Sequence, residues 1–428
     1  MGEEIDEVVE SIGMFELVRR MLSPKTLPHI ILVAIVSAIL MTITKSNQGL
    51  AAIMFLSFSI SYGIIALMAK NSTIQKLTKL SGKSTDENTL LRIAKSFRIC
   101  VVPVLIAGVL TGILWSMFNE NNQWIVILLA SLFIIWSIAQ ARSFRTGMVE
   151  WLSNGLGDAQ LHTYREKLST ASLIIIVQLF AFIIIWVGQM VTSSESMTAL
   201  DAILGGIGFL VISVLIQLFS LWLTREERER AGNEKGLSGF SFKWMVISQL
   251  FITWHCFSLY RRKFLDPSMA STIIEESILM AFTVLFAVWA LTNQTVKDKK
   301  RLIDENSALP LGISFGFAYA GSVAMLTGTF EHVNNVLASG HLIAVITTLF
   351  IVKSTLVSKR KSSDTMNIAK SIDISAKGDA IEEEVDEEED GDSDDQKSEN
   401  DDDVDWDNPE SIGDDAEWEE EKEADSKE

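Results

Sequence analysis

The chain is poor in the residues on which soluble chemistry draws. Its 428 residues include only two cysteines, Cys100 and Cys256, which excludes a disulfide framework and a thiolate metal cage. The five histidines are scattered, and none stands in an HExxH spacing. There is no Walker loop, no GxGxxG opening a helix, and no paired-aspartate motif of the prenyl- or phosphoalcohol-transferase type. The first twenty residues are acidic and lack the apolar core of a signal peptide. The longest connections between apolar runs are about 29 residues, too short for a separate enzymatic domain. Any chemistry must therefore occur in or at a membrane. The sequence implies no cofactor, no metal and no nucleic-acid partner.

Charge is distributed unevenly. Residues 379–428 carry 28 Asp/Glu against 3 Lys, while residues 1–378 carry 33 Lys/Arg against 27 Asp/Glu. The overall net charge of −19 thus belongs to the tail and says nothing about the apolar body. The tail has few large apolar residues and cannot bury enough surface to fold alone, so 358–428 reads as a disordered segment, strongly acidic from 379. Trp406 and Trp418 interrupt its acidic runs and are candidate anchors for a basic protein partner. At the other end, Ile5, Val8, Val9, Ile12, Phe15 and Val18 recur at helical spacing, and Ser23-Pro24 stops the pattern. Residues 1–25 read as an amphipathic helix on the membrane surface.

Between these ends, residues 26–357 read as a transmembrane helical domain. A bilayer core of ~30 Å needs ~20 apolar residues per crossing. Ten runs qualify: 27–44, 50–69, 99–118, 123–141, 171–192, 203–224, 243–260, 271–292, 310–328 and 338–357. The fold class is therefore an all-α, polytopic membrane bundle of about ten helices. Short connections nearly free of Lys/Arg alternate with longer basic ones, which places both termini in the cytoplasm of a multi-pass plasma-membrane protein. Arg261-Arg262-Lys263 falls on the other side and breaks that rule. Trp136, Trp222 and Trp289 at one set of ends, and Trp115, Trp124, Trp186 and Trp254 at the other, read as aromatic belts. Ten spans could also divide into two inverted five-span halves.

The ninth run stands apart. Gly312, Gly316, Ala320, Ala324 and Gly328 recur every four residues, a spacing that lets helix backbones approach closely inside lipid. The neutral Gln178, Gln189, Gln217 and Gln249 read as interhelical glue. The ionisable residues cluster instead: His255, Cys256, Glu275, Glu276, Glu331, His332 and His341 all come from the last four runs and one side of the membrane. They form a candidate polar pocket or coupling site, because intramembrane ionisable groups are costly and tend to be functional. Histidine with glutamate could relay protons or hold a divalent metal. Arg261, Arg262 and Lys263 join them as a candidate contact for an anion or headgroup. The bland alternative is that all of these sit hydrated at the interface. Ser314 and His341 invite comparison with a nucleophile and its base, but lie ~20 Å apart in depth on antiparallel spans.

Two functions fit this pattern. One is a secondary transporter that moves a small molecule or ion, with the ninth run lining its path. The other is a membrane scaffold or assembly factor that uses its acidic tail. An intramembrane enzyme acting on headgroups is a third class. Pro103 is the only proline well inside a run, so no broken helix announces a transport site.

Overall fold

The computed structural model describes residues 12–80, 96–118, 123–154, 166–192, 198–232, 237–265, 267–293, 303–329 and 332–386. Among these, all regular structure is helical. In chain order the helices are α1 (Met14–Met21), α2 (Leu27–Thr44), α3 (Gln48–Leu67), α4 (Ser72–Thr78), α5 (Val101–Phe118), entered through a 3-10 turn at Phe97–Cys100, and α6 (Gln123–Asn154). They continue as α7 (Glu166–Thr192), α8 (Ala199–Leu223), α9 (Arg225–Gly232), α10 (Leu237–Tyr260), α11 (Met269–Thr292), α12 (Glu305–Thr329) and α13 (Val333–Asp386). A π-helical turn, Arg261–Leu265, follows α10 directly. The chain divides into a first unit, Met1–Thr365, and a second, Met366–Glu428. Of the second unit only the final turns of α13 are described.

Nine helices among the described residues are long and apolar enough to cross a membrane, as in a multi-pass membrane protein. The seventh expected span, 243–260, is not one of them. It lies in α10, which is 24 residues long but carries Ser, Thr, Gln and His along its length. Fourteen of those residues are buried, so α10 meets protein on most sides. A helix so enclosed needs interhelical partners more than a lipophilic surface. Gln249 supplies one by donating to Ser220 of α8, 2.5 Å away, and the Trp244 indole donates to the Val352 carbonyl of α13.

Packing does not follow the division into first and last five spans. One apolar cluster joins α2, α3, α5 and α12 through Leu40, Phe58, Tyr62 and Phe317. A larger one joins α6, α7, α8, α10 and α13 around Phe209, Phe240 and Trp244. Trp136 is nearly buried and lies 5.1 Å from the Tyr319 ring, which corrects its reading as a belt residue. Trp124 and Trp222 are well exposed, as lipid-facing rings would be.

The ninth run, now α12, is central. Its closest neighbour is α3, and serines fasten the pair. The Ser314 hydroxyl donates to the Ser59 carbonyl at 2.7 Å, and Ser59 returns the bond to the Ser314 carbonyl at 2.9 Å. Ser307 donates to the Ala66 carbonyl a few turns away. The tightest approach is at Gly321, where an added methyl would meet Phe55 Cβ at 2.8 Å. Gly312 and Gly316 face α11 instead, and Gly316 has only the Met280 sulfur at 3.9 Å. Ala320 and Ala324 pack in the cluster with Phe317, while the surroundings of Gly328 lie outside the described side chains. Gly321→Ala should therefore cost about 1–3 kcal/mol through overpacking and lower the melting temperature in detergent. Gly316→Ala should melt like the parent. Equal melting of the two variants would show that the α3–α12 approach is not tight.

The N-terminal helix corrects another expectation. Residues 1–11 lie outside the described residues, but α1 docks on protein. Leu17 is fully buried against Val288 and Ala308. Asn293 brackets Ile12, its carboxamide oxygen accepting from the Ile12 amide at 3.0 Å, and Trp289 donates to the Ile12 carbonyl at 2.9 Å. The apolar stripe that suggested a lipid surface is thus partly spent on α11 and α12. At the C-terminal end, the helix persists through Asp386, beyond the expected boundary at 357. Extending a formed helix needs no new nucleus, and Met366, Ile368 and Ile372 come without an intervening proline or glycine. Residues 387–428, with Trp406 and Trp418, lie outside the described residues.

Candidate functional site

The last four long helices bring most of the ionisable set into one buried network. His255 lies on α10 about 8 Å from its end, Glu276 about 10 Å into α11, and His341 about 12 Å into α13, at 1.5 Å per residue. Arg261 and Arg262 open the π turn that follows α10, and such turns recur at functional sites. Both guanidinium groups fold back among the helices. The Arg262 side chain has no exposure, and that of Arg261 has 7%.

Glu276 is the hub. Its Oε1 lies 3.0 Å from His341 Nε2 and 2.5 Å from Arg262 Nη2, and its Oε2 accepts from the Tyr319 hydroxyl at 2.6 Å. Glu275 sits alongside, with Oε2 at 3.3 Å from Arg262 Nη2 and 3.5 Å from Arg261 Nη2. Its other oxygen accepts from Ser258. Arg262 Nη1 donates to the Ser258 carbonyl at 3.1 Å, and Arg261 Nη2 donates to Ser271 Oγ at 2.8 Å. Two carboxylates thus meet two guanidinium groups, and the formal charge closes to zero when both imidazoles are neutral.

The histidines extend this network in a line. His255 Nδ1 lies 2.8 Å from His341 Nδ1. An ionised carboxylate only accepts, so His341 Nε2 carries the hydrogen toward Glu276. In neutral His341 the Nδ1 is then an acceptor, and His255 Nδ1–H must donate to it. That leaves His255 Nε2 as a bare lone pair, and this buried atom has no protein partner. Buried polar atoms are mostly paired; among the described residues Arg261 Nε, Arg262 Nε and Trp254 Nε1 are likewise left without a hydrogen-bond partner. A proton arriving at His255 Nε2 can leave from Nδ1 to His341 Nδ1. His341 can then pass its Nε2 hydrogen to Glu276. The order Nε2, Nδ1, Nδ1, Nε2, carboxylate could carry a proton in steps, and it begins at a buried nitrogen without a protein partner.

Several expected members do not join. Cys256, next to His255, packs in the apolar cluster with Phe257 and Ile252. His332 is exposed, and Glu331 lies outside the described residues. Lys263 is exposed and donates to Asn335 Oδ1 at 2.8 Å. Arg261 and Arg262 are met by Glu275 and Glu276, not presented to a headgroup. Their charge is neutralised within the protein, so it carries little signal about which side of a membrane they face. The hydrated-interface alternative fails for His255, His341, Glu275 and Arg262, which are all buried. Ser314 bonds to Ser59 and His341 to His255, so they form no nucleophile–base pair.

The network also contains residues that the sequence reading passed over: Tyr319, Ser258 and Ser271. Elsewhere, Gln178 donates to Gln217 at 2.9 Å, and Gln217 donates to the Leu173 carbonyl at 3.1 Å, as interhelical contacts between α7 and α8. The side chain of Gln189 is outside the description. Among the described residues no group of three or more His, Cys, Asp or Glu is placed to hold a metal ion. Comparison of the chain with family models, curated proteins and solved structures gave no match.

Proposed function

We propose that the chain is a proton-coupled secondary transporter, with His255, His341 and Glu276 as its coupling site. The observation that carries this reading is the buried histidine–histidine–glutamate line with its unpartnered nitrogen, set among helices apolar enough to span a membrane. Ionisable groups in that setting are expensive, and proton relays are among the functions that keep them. The network lies roughly a third of the way across a ~30 Å core, deep enough to be gated by helix movement. On this reading the basic connections and both termini face the cytoplasm, and the relay lies nearer the outer face. Helix α12 contributes Tyr319 to the relay and packs on α3 through small residues, so a shift of α12 would move the Glu276 hydrogen bonds. The substrate is a small solute or ion.

The second reading, a membrane scaffold, draws on the charge of residues 379–428, which suits a basic protein partner. It does not call for a buried proton line.

The test is proton movement. Protein reconstituted in lipid vesicles around a pH-sensitive dye should acidify the lumen when an outside-acid gradient is combined with one class in a panel of amino acids, sugars, nucleosides and organic ions. Vesicles that never exceed protein-free controls, whatever the gradient or solute, would contradict the transporter reading and favour the scaffold.

A further inference from the structure

A separate cavity opens at the opposite end of the bundle. It has a volume of about 250 Å3 and lies among Arg20, Lys25, His29, Tyr62, Lys79 and Asn306. Glu305, which opens α12, is also in its wall, about 21 Å along that helix from Tyr319.

The floor is already satisfied. His29 Nε2 lies 2.9 Å from the Thr78 carbonyl, which can only accept, so this nitrogen carries the hydrogen. His29 Nδ1 then accepts from the Tyr62 hydroxyl at 3.1 Å. The floor is neutral and asks for no ligand of its own. The rim is different. Arg20 pairs with Glu305 and with Glu16. Asp304, close by, accepts from the Asn306 and Ser307 amides at 2.9 and 3.0 Å, which anchors the first turn of α12. Lys79 donates to the neutral Asn306 carboxamide. Among the described residues no carboxylate lies within salt-bridge distance of Lys25 or Lys79. Burial pushes the Lys79 ammonium below its usual value; Asp304 opposes that shift and the like charge of Lys25 adds to it. Lys25, which is exposed, and Lys79, which is half-buried, thus line one space with like charge.

We infer that this cavity is a binding site for a phosphate-bearing anion, held between Lys25 and Lys79. A doubly charged phosphate can accept from both ammonium groups at once, with charge-assisted bonds roughly twice as strong as neutral ones. The volume decides the size class. It falls below the ~300 Å3 at which pockets for larger organic ligands begin, and suits a headgroup or a small phosphorylated solute. Both sources offer the same chemistry. The cavity lies where α2 and α12 begin and α3 ends, at the level where lipid headgroups would meet the bundle. The site does not depend on the transporter reading.

The experiment uses the full chain in nanodiscs of phosphatidylcholine. One arm titrates inorganic phosphate against sodium chloride of equal ionic strength. The other replaces part of the lipid with phosphatidic acid, and native mass spectrometry counts retained lipid. The variants are Lys25→Gln, Lys79→Gln and the double variant, with Lys45→Gln as a control at the other end of α2. The parent and Lys45→Gln should bind one of the two probes, and the double variant should bind it at least roughly tenfold more weakly. Without anion, Lys25→Gln should melt no lower than the parent, because it removes a repulsion. A response to phosphate marks a soluble ligand; a response to phosphatidic acid alone marks a lipid site. A response that chloride reproduces, or that survives in the double variant, would overturn the inference.

Discussion

Arg262→Met should remove most of the folded protein from detergent extracts and lower the melting temperature of what remains. The Arg262 side chain is fully buried and lies 2.5 Å from Glu276 and 3.3 Å from Glu275. Removing one member of a buried ion cluster costs about 3–5 kcal/mol, because the partner charges stay behind uncompensated. Here two adjacent carboxylates would be left, with only Arg261 near Glu275. Arg262→Lys should fall between parent and Met. A single ammonium cannot serve the Ser258 carbonyl and both carboxylates in the geometry of the planar guanidinium. Combining Arg262→Met with Glu276→Gln should recover part of the loss, since the two residues are coupled. Size-exclusion chromatography after a heat ramp reads all four proteins. An Arg262→Met protein that melts with the parent would mean that the carboxylates do not depend on this cation.

Glu276→Gln should reduce proton movement per folded protein in vesicles to background, and should also lower stability, because two buried guanidinium groups are left facing one carboxylate. The amide keeps the shape of the side chain; its one oxygen can accept from His341 Nε2–H, and its NH2 then faces the Tyr319 hydroxyl, which must turn from donor to acceptor. Arg262 keeps Glu275 as a counter-charge. What is lost is the only proton acceptor at the end of the histidine line. His255→Phe should lose the same movement from the other end of the line. Tyr319→Phe removes a donor to Glu276 and should weaken movement without abolishing it. Retained movement in Glu276→Gln vesicles would place the coupling site elsewhere.

The membrane body was readable because long apolar runs have few alternative fates. The polar site was readable in part, because ionisable residues are conspicuous among apolar ones. What the sequence could not supply was the face on which each one sits. His255 and Cys256 are neighbours in sequence, yet adjacent helical positions point about 100° apart, so one enters the relay and the other the apolar core. His255, Ser258 and Arg262 do follow one helical stripe, at intervals of three and four, and that spacing was available as a signal. Tyr319 was harder to see. It is one of only four tyrosines, but it sits in a run whose small residues drew attention to packing. In that run Gly321, outside the four-residue series, makes the closest approach, since which stripe meets α3 depends on tertiary packing. Helix α10 was harder for the converse reason: it is polar because protein encloses it.

The most direct test of the relay is 15N nuclear magnetic resonance of histidine-labelled protein in lipid vesicles, titrated with pH. Only five histidines contribute, so single substitutions assign every signal. At the basic end of the titration, His255 should carry its hydrogen on Nδ1 and His341 on Nε2. Glu276→Gln should alter the signals of both rings. A hydrogen on His255 Nε2 at the basic end, with both rings indifferent to Glu276→Gln, would contradict the relay.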